Sequence, residues 1–219
     1  MPQQAVSAKN EKLIMVVERE LLFGEDTFQG FRPHNHVDYE ARILKKFTYM
    51  KRGLAEQNPA YKQPIGYSII VNPALKQVFA YQRSSHDAKY GEKRLQGKWS
   101  WGVGGHIDKI DTEAGNPINA SMLRELDEEV ELGGKAVPKI LGYINDDSTD
   151  VGSVHFGIVN IFETGSKAVK PKDDEIDNGG MRSIEELEKI CSSPDFSVEE
   201  WSKISLEPLK QYLQKNHLV

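Results

Sequence analysis

Cysteine is nearly absent: Cys191 is the only one in 219 residues. A lone thiol closes no internal disulfide and builds no Cys-rich zinc cluster, so a disulfide scaffold is excluded and a reducing compartment, the cytoplasm, is expected. Long apolar runs are missing too. The stretch Leu13 to Val17 is five residues, where a spanning helix needs roughly 20, and the opening MPQQAVSAKNEK lacks the basic start and apolar run of a secretory signal. No membrane association is expected. Nor do cations dominate: 28 Lys and Arg face 33 Asp and Glu, a formal charge of -5, which argues against a dedicated nucleic-acid binder living on phosphate contacts. Repeats and low-complexity tracts are also lacking. What is present, 38% hydrophobic and 28% charged residues, is an ordinary globular composition, and at roughly 150 residues per domain it suggests one domain with an appendage.

Along the chain, LIMVVERELLF (13–23) reads as a strand ending at Gly24, and Asp38 to Glu56 as one amphipathic helix stopped by Asn58 and Pro59. The appendage therefore covers 1–62 and should pack on a main domain at 63–219. That domain opens with IGYSIIV and QVFAYQR, a hairpin around Asn72 and Pro73. A polar loop at 84–98 leads into KWSWGVGGHI. Asn116 and Pro117 then read as the cap and first position of a helix running to about Leu132, because an Asn side chain accepts from free first-turn amides and proline has no amide to lose. VPKILGYI and SVHFGIVNIFE read as further strands, S-I-E-E at Ser183 as a capping box, and Ser197 to Leu218 as one or two packing helices.

The informative segment is R-E-L-D-E-E, Arg124 to Glu129. At about 100° per residue, Glu125, Glu128 and Glu129 share one face, while Met122, Leu123, Leu126 and Val130 fall on the other. Like charges so close raise each other's pKa unless a cation neutralises them, and Mg2+ or Mn2+ suits carboxylate oxygens. A solvated glutamate face is the plain alternative. Its context, a strand ending in Gln82 and Arg83, a basic loop, a W-x-W and glycine run, then a capped helix, favours chemistry.

These residues resemble the Nudix hydrolase superfamily, whose signature is G-x5-E-x7-R-E-U-x-E-E-x-G-U, with U aliphatic. Arg124, Glu125, Leu126, Glu128, Glu129 and Leu132 match, and D-E-I (Asp174 to Ile176) with S-I-E-E-L (Ser183 to Leu187) is similar to the family's last strand and helix. Three positions depart. Asn116 stands at the first Glu, Glu131 at the last Gly, and Gly105 lies nineteen residues before Arg124 instead of fourteen, a five-residue insertion within HIDKIDTEAGN.

The resemblance implies an α/β fold, an α/β/α sandwich with a mixed β-sheet, extended by an N-terminal strand and helix and by C-terminal helices. It implies hydrolysis of a phosphoanhydride in a small diphosphate, typically linked to a nucleoside, with Mg2+ or Mn2+ held by Glu125, Glu128 and Glu129 and by the Gly105 carbonyl. Arg124 would fix a carboxylate's rotamer; an ordinary helical pair with Glu128 is the same contact. The general base is Glu175, on the loop before the last strand, or Glu128.

For substrate binding the candidates are Arg83, Lys98 and Trp101. Lys98 closes the basic cluster Lys89, Lys93, Arg94; Trp99 and Trp101 stack on a base or, more commonly for alternate aromatics entering a sheet, belong to the core. His34, His36 and His106 read as loop residues. A non-catalytic ligand sensor is the alternative function. An isopentenyl diphosphate isomerase would need a cysteine near the glycine run, and Cys191 is not there. Assembly as a homodimer is left open.

Overall fold

In the computed structural model, residues 8–84, 95–132, 137–172 and 176–215 are described. The strands are β1 (Leu13–Glu18), β2 (Gly30–Pro33), β3 (Thr48–Lys51), β4 (Tyr61–Asn72), β5 (Gln77–Arg83), β6 (Trp99–Ser100), β7 (Val130–Glu131), β8 (Pro138–Asn145), β9 (His155–Glu163), β10 (Lys170–Pro171) and β11 (Ile176–Ser183). The helices are α1 (Arg19–Phe23), α2 (Tyr39–Lys46), α3 (Arg52–Ala55), α4 (Pro117–Glu129), α5 (Asp150–Val154), α6 (Ile184–Ser192) and α7 (Glu200–Lys215), with a 3-10 helix at Lys109–Ala114. A large mixed sheet follows the order β11-β5-β4-β9-β8-β2, with β1 joined to β3 and β4 and β6 to β5. The fold is the expected mixed α/β class.

The chain divides into two compact units. The first holds the residues up to Tyr67 with Gly104–Arg124 and Ile140–Val159. Its core gathers Met15, Val17, Leu22, Phe23, Tyr39, Ile43, Ile107, Ile118, Met122, Tyr143, Phe156 and Ile158. Strand β1 pairs antiparallel with β4 through Val17↔Lys62, and β2 with β8 through Phe31↔Ile144. Here two glycines permit a close approach: a Cβ on Gly104 would lie 1.8 Å from the Gly66 carbonyl oxygen, and one on Gly66 would lie 2.2 Å from Met122 Cγ. Only bare backbone lets the glycine run lie on β4 and Met122 close over it.

The second unit holds Ser68–Val103, Glu125–Lys139 and Asn160–Val219. Its core gathers Ile70, Phe79, Tyr81, Val103, Leu126, Val130, Phe162, Val169 and Ile176. The β4–β5 hairpin closes through Val71↔Val78, as the turn residues suggest, and β11 lies along β5 from Ile176↔Arg83 to Ser183↔Gln77. Ser183 caps α6 in the expected reciprocal box with Glu186.

Several element assignments change. Strand β1 stops at Glu18 and α1 follows, because a helical turn buries both Leu22 and Phe23, which alternation would send to opposite faces. The helix expected over 38–56 is broken by β3, whose Thr48 to Lys51 pair with Val16 to Leu13; tertiary pairing outweighs helical spacing where β-branched and aromatic residues are available. Helix α4 ends at Glu129, since Val130 and Glu131 pair with Pro171 and Lys170. The turn at Gly133 and Gly134 lies outside the described residues.

Candidate active site

Helix α4 begins as the sequence indicates. Asn116 Oδ1 accepts from the amides of Ile118 at 3.0 Å and Asn119 at 3.3 Å, so the residue standing at the signature's first Glu acts as the cap. Ile118, Met122, Leu126 and Val130 are buried, while Leu123, assigned to the same face, is 48% exposed. Of the carboxylates, Glu128 is exposed and Glu125 and Glu129 are half-buried. Three hard oxygen donors with solvent at hand suit an ion that keeps waters and takes substrate phosphates as ligands, so the donor set fits magnesium or manganese.

Arg124 has a partner the sequence did not reveal. Its Nε and a terminal nitrogen each donate to Asp111 at 3.0 Å, and the latter also reaches the His106 carbonyl at 3.3 Å. Asp111 is 5% exposed. It lies within HIDKIDTEAGN, the stretch that carries the five-residue insertion and holds the 3-10 helix, and its carboxylate also accepts from the Asp108 amide at 2.8 Å to close a capping box. The signature arginine thus clamps the insertion through a two-pronged charged contact. Linear spacing could not show this, because the partner sits in the segment that breaks the motif.

Opposite the helix C-terminus, Lys172 joins the end of β10 to α4. Its amide donates to the Glu129 carbonyl at 2.8 Å, and its Nζ to the Asp127 carbonyl at 2.7 Å and side chain at 3.1 Å. Glu175, with Asp173 and Asp174, lies outside the described residues, as do Lys89, Lys93 and Arg94.

The substrate candidates sit as follows. Arg83 Nε donates to Glu199 at 2.8 Å, with side chains 13% and 8% exposed, and Ser100 Oγ donates to the other Glu199 oxygen at 3.0 Å. Trp101 is 1% exposed; its Nε1 donates to Ser205 Oγ at 3.1 Å. Trp99 is also buried, with the Arg182 guanidinium 4.8 Å from its ring centre. Both indoles occupy the core position weighed for them. Lys98 is half-exposed and Gly105 half-buried.

His34 and His36 are exposed loop residues, but His106 is not. His106 Nε2 lies 2.8 Å from Gln63 Oε1, 3.3 Å from His155 Nε2 and 3.7 Å from Glu56 Oε1. Burial above all, then the charges of Arg52 and of neighbouring lysines, holds its pKa well below the usual imidazole range, so the ring is neutral at pH 7. Sequence offered no spacing signal for this cluster, whose members are separated by 50 and 49 positions along the chain.

No family model matches the chain. Protein YmaB of Bacillus subtilis (strain 168) is 33% identical over 211 residues, covering 92% of this chain and 99% of the relative. The crystal structure of Tm1382, assigned to the Nudix hydrolases, superposes with a TM-score of 0.72 at 26% identity, over 92% of this chain and all of that one. The NUDIX domain of Shewanella oneidensis NrtR, complexed with ADP ribose, superposes with a TM-score of 0.52 at 14% identity over 69% of this chain and 88% of that one, and shows the shared fold.

Proposed function

The chain belongs to the Nudix superfamily, in one family with Protein YmaB, and on that premise we propose that it is a divalent-metal-dependent hydrolase of a phosphoanhydride in a nucleoside diphosphate-linked or related small molecule. The observation that carries this is the capped helix α4, which presents Glu125, Glu128 and Glu129 on its solvent-reaching side and is tied at its end by Lys172. Glu125, Glu128 and Glu129 would hold Mg2+ or Mn2+. When bound, such an ion neutralises diphosphate oxygens and acidifies a water.

The chain's own contribution is position and proton transfer. Helix α4 fixes the spacing of its carboxylates, and Arg124 acts by holding the insertion through Asp111. Glu175 is the proposed general base. Lys172, three residues before it in sequence, is bonded to the Asp127 and Glu129 carbonyls at the end of helix α4. Glu128 is the alternative base. Lys98, half-exposed, remains a candidate for attracting an anionic substrate; Arg83 would first have to leave Glu199.

The test is a hydrolysis screen over nucleoside triphosphates, nucleotide sugars and dinucleotides with Mg2+ and Mn2+. Turnover should need the cation and should collapse in Glu128→Gln and in Glu129→Gln while circular dichroism stays native, since each change removes one charge from a site built around a cation. Full activity in both variants would overturn the carboxylate site. Ligand binding without turnover of any substrate would favour the sensor.

A further inference from the structure

We propose that Glu56, His106 and His155 form a second metal site, of the zinc type, none of whose ligands comes from the carboxylate helix. Three ligand atoms belonging to residues far apart in sequence converge: the two Nε2 atoms are 3.3 Å apart, and Glu56 Oε1 lies 3.7 Å from that of His106 and 4.0 Å from that of His155. All lie within 4.8 Å of one another. In a tetrahedral zinc site, with bonds of about 2.0 to 2.2 Å, ligand atoms stand roughly 3.3 to 3.5 Å apart. The triad therefore matches that spacing after closing by a few tenths of an ångström on the Glu56 side.

The surrounding groups are those a metal site needs. His155 Nδ1 donates to the Val151 carbonyl at 2.6 Å, which fixes the tautomer and leaves the Nε2 lone pair facing the cluster. Arg52 Nε donates to Glu56 Oε1 at 3.3 Å, an outer contact that orients the carboxylate. Gln63, fully buried, has Oε1 2.8 Å from His106 Nε2, a contact that this nitrogen gives up when its lone pair goes to a metal, and its own Nε2 has no hydrogen-bond partner among the described residues. Rotating the amide merely moves the deficit to its oxygen. A water held by a bound ion, which can accept from Nε2 or donate to Oε1, supplies what this buried group lacks. Two imidazoles with one carboxylate suit zinc and its first-row neighbours and do not suit magnesium, which demands oxygen octahedra. Side-chain exposures of 13% for His106 and 19% for Glu56 leave a route in from solvent. Bound there, the ion would cross-link the end of α3, the glycine-run segment and the start of β9.

The test strips the full chain with a chelator and titrates Co2+, followed by its visible absorption, then displaces it with Zn2+. The expected result is the intense spectrum of four-coordinate cobalt at a single ion per chain and a higher Tm with zinc. Both should persist in Glu128→Gln and Glu129→Gln and disappear in His155→Gln and Glu56→Gln. Gln63→Leu should weaken binding about 10- to 100-fold, the usual loss for an outer partner. Absence of that spectrum in the wild type, its survival in both ligand variants, or its loss in the α4 variants would each overturn the site. Should a ligand variant fail to fold, the wild-type titration decides by itself. No step of the test reads hydrolysis, so it succeeds or fails separately from the proposed activity.

Discussion

Lys62 is a fully buried lysine, and its ammonium is met by three acceptors: Asp147 Oδ1 at 2.8 Å, the Gly152 carbonyl at 2.9 Å and the His155 carbonyl at 3.2 Å. Burial outweighs this pairing and lowers its pKa to about 8, whereas Asp147, bonded first by Arg19 and then by Lys62, is held well below the usual carboxylate range. A depressed carboxylate favours the folded state above the unfolded pKa of about 3.9, and that contribution is lost as pH falls toward the folded value. The wild type should therefore lose stability progressively below about pH 4, and Asp147→Asn should flatten that acid limb while melting lower at pH 7. Thermal melts from pH 7 to 2.5 check it; parallel acid limbs in the two proteins would refute it. The second residue-scale prediction concerns Glu175. As general base, its Glu175→Gln variant should lose about 10²- to 10⁴-fold in kcat with KM little changed, because metal and phosphate contacts persist. Asp173→Asn should be close to normal. Near-normal kcat in Glu175→Gln would transfer the role to Glu128.

Among the elements, the 3-10 helix at Lys109–Ala114 and helix α4 are tied together, because the stretch that breaks the signature's spacing is fastened by the signature's own arginine. Asp111 is nearly enclosed, so removing Arg124 strands a carboxylate away from water. Arg124→Ala should cost about 1.5 to 3 kcal/mol, the range for hydrogen bonds to charged groups. Arg124→Lys should recover only part of that, since an ammonium cannot reproduce the planar fork. Urea midpoints of the two single variants, of Asp111→Asn and of the double variant Arg124→Ala/Asp111→Asn measure the coupling. Additive losses would mean that the pair does not act as a clamp. In hydrolysis assays the same variants should lose turnover through displacement of the insertion, with rescue by lysine remaining partial.

For the whole molecule, the question is whether residues 1–62 can be removed. We propose that they dock on the rest and do not form a domain of their own. They supply Met15, Val17, Leu22, Phe23, Tyr39 and Ile43 to a core completed by Ile107, Ile118, Met122, Tyr143, Phe156 and Ile158. At about 1.5 to 3 kcal/mol for each buried large side chain, losing six exceeds or rivals the 5 to 15 kcal/mol by which a native domain is stable. A chain beginning at residue 63 should be insoluble or melt far below the full protein. Equal melting temperatures would mean that the segment is merely tethered.

Local chemistry determined what the sequence could show. Asn116 and Pro117 start a helix because a side-chain oxygen and a missing amide solve a local hydrogen-bond problem, Ser183 and Glu186 close a box three residues apart, and one helical face collects Glu125, Glu128 and Glu129 from residue spacing alone. Membership of the Nudix superfamily was legible for that reason. Tertiary structure decided whatever depends on partners distant in the chain. Thr48 to Lys51 became extended through pairing with β1, Trp101 was enclosed beneath Ser202 and Ser205, and Arg124 found Asp111 in the stretch that carries the insertion. Above all, Glu56, His106 and His155 share no spacing rule, since three strands and loops must close before their ligand atoms meet. Hydrogen bonds within a turn are encoded by neighbours, but a cluster assembled across a sheet exists only once the sheet does.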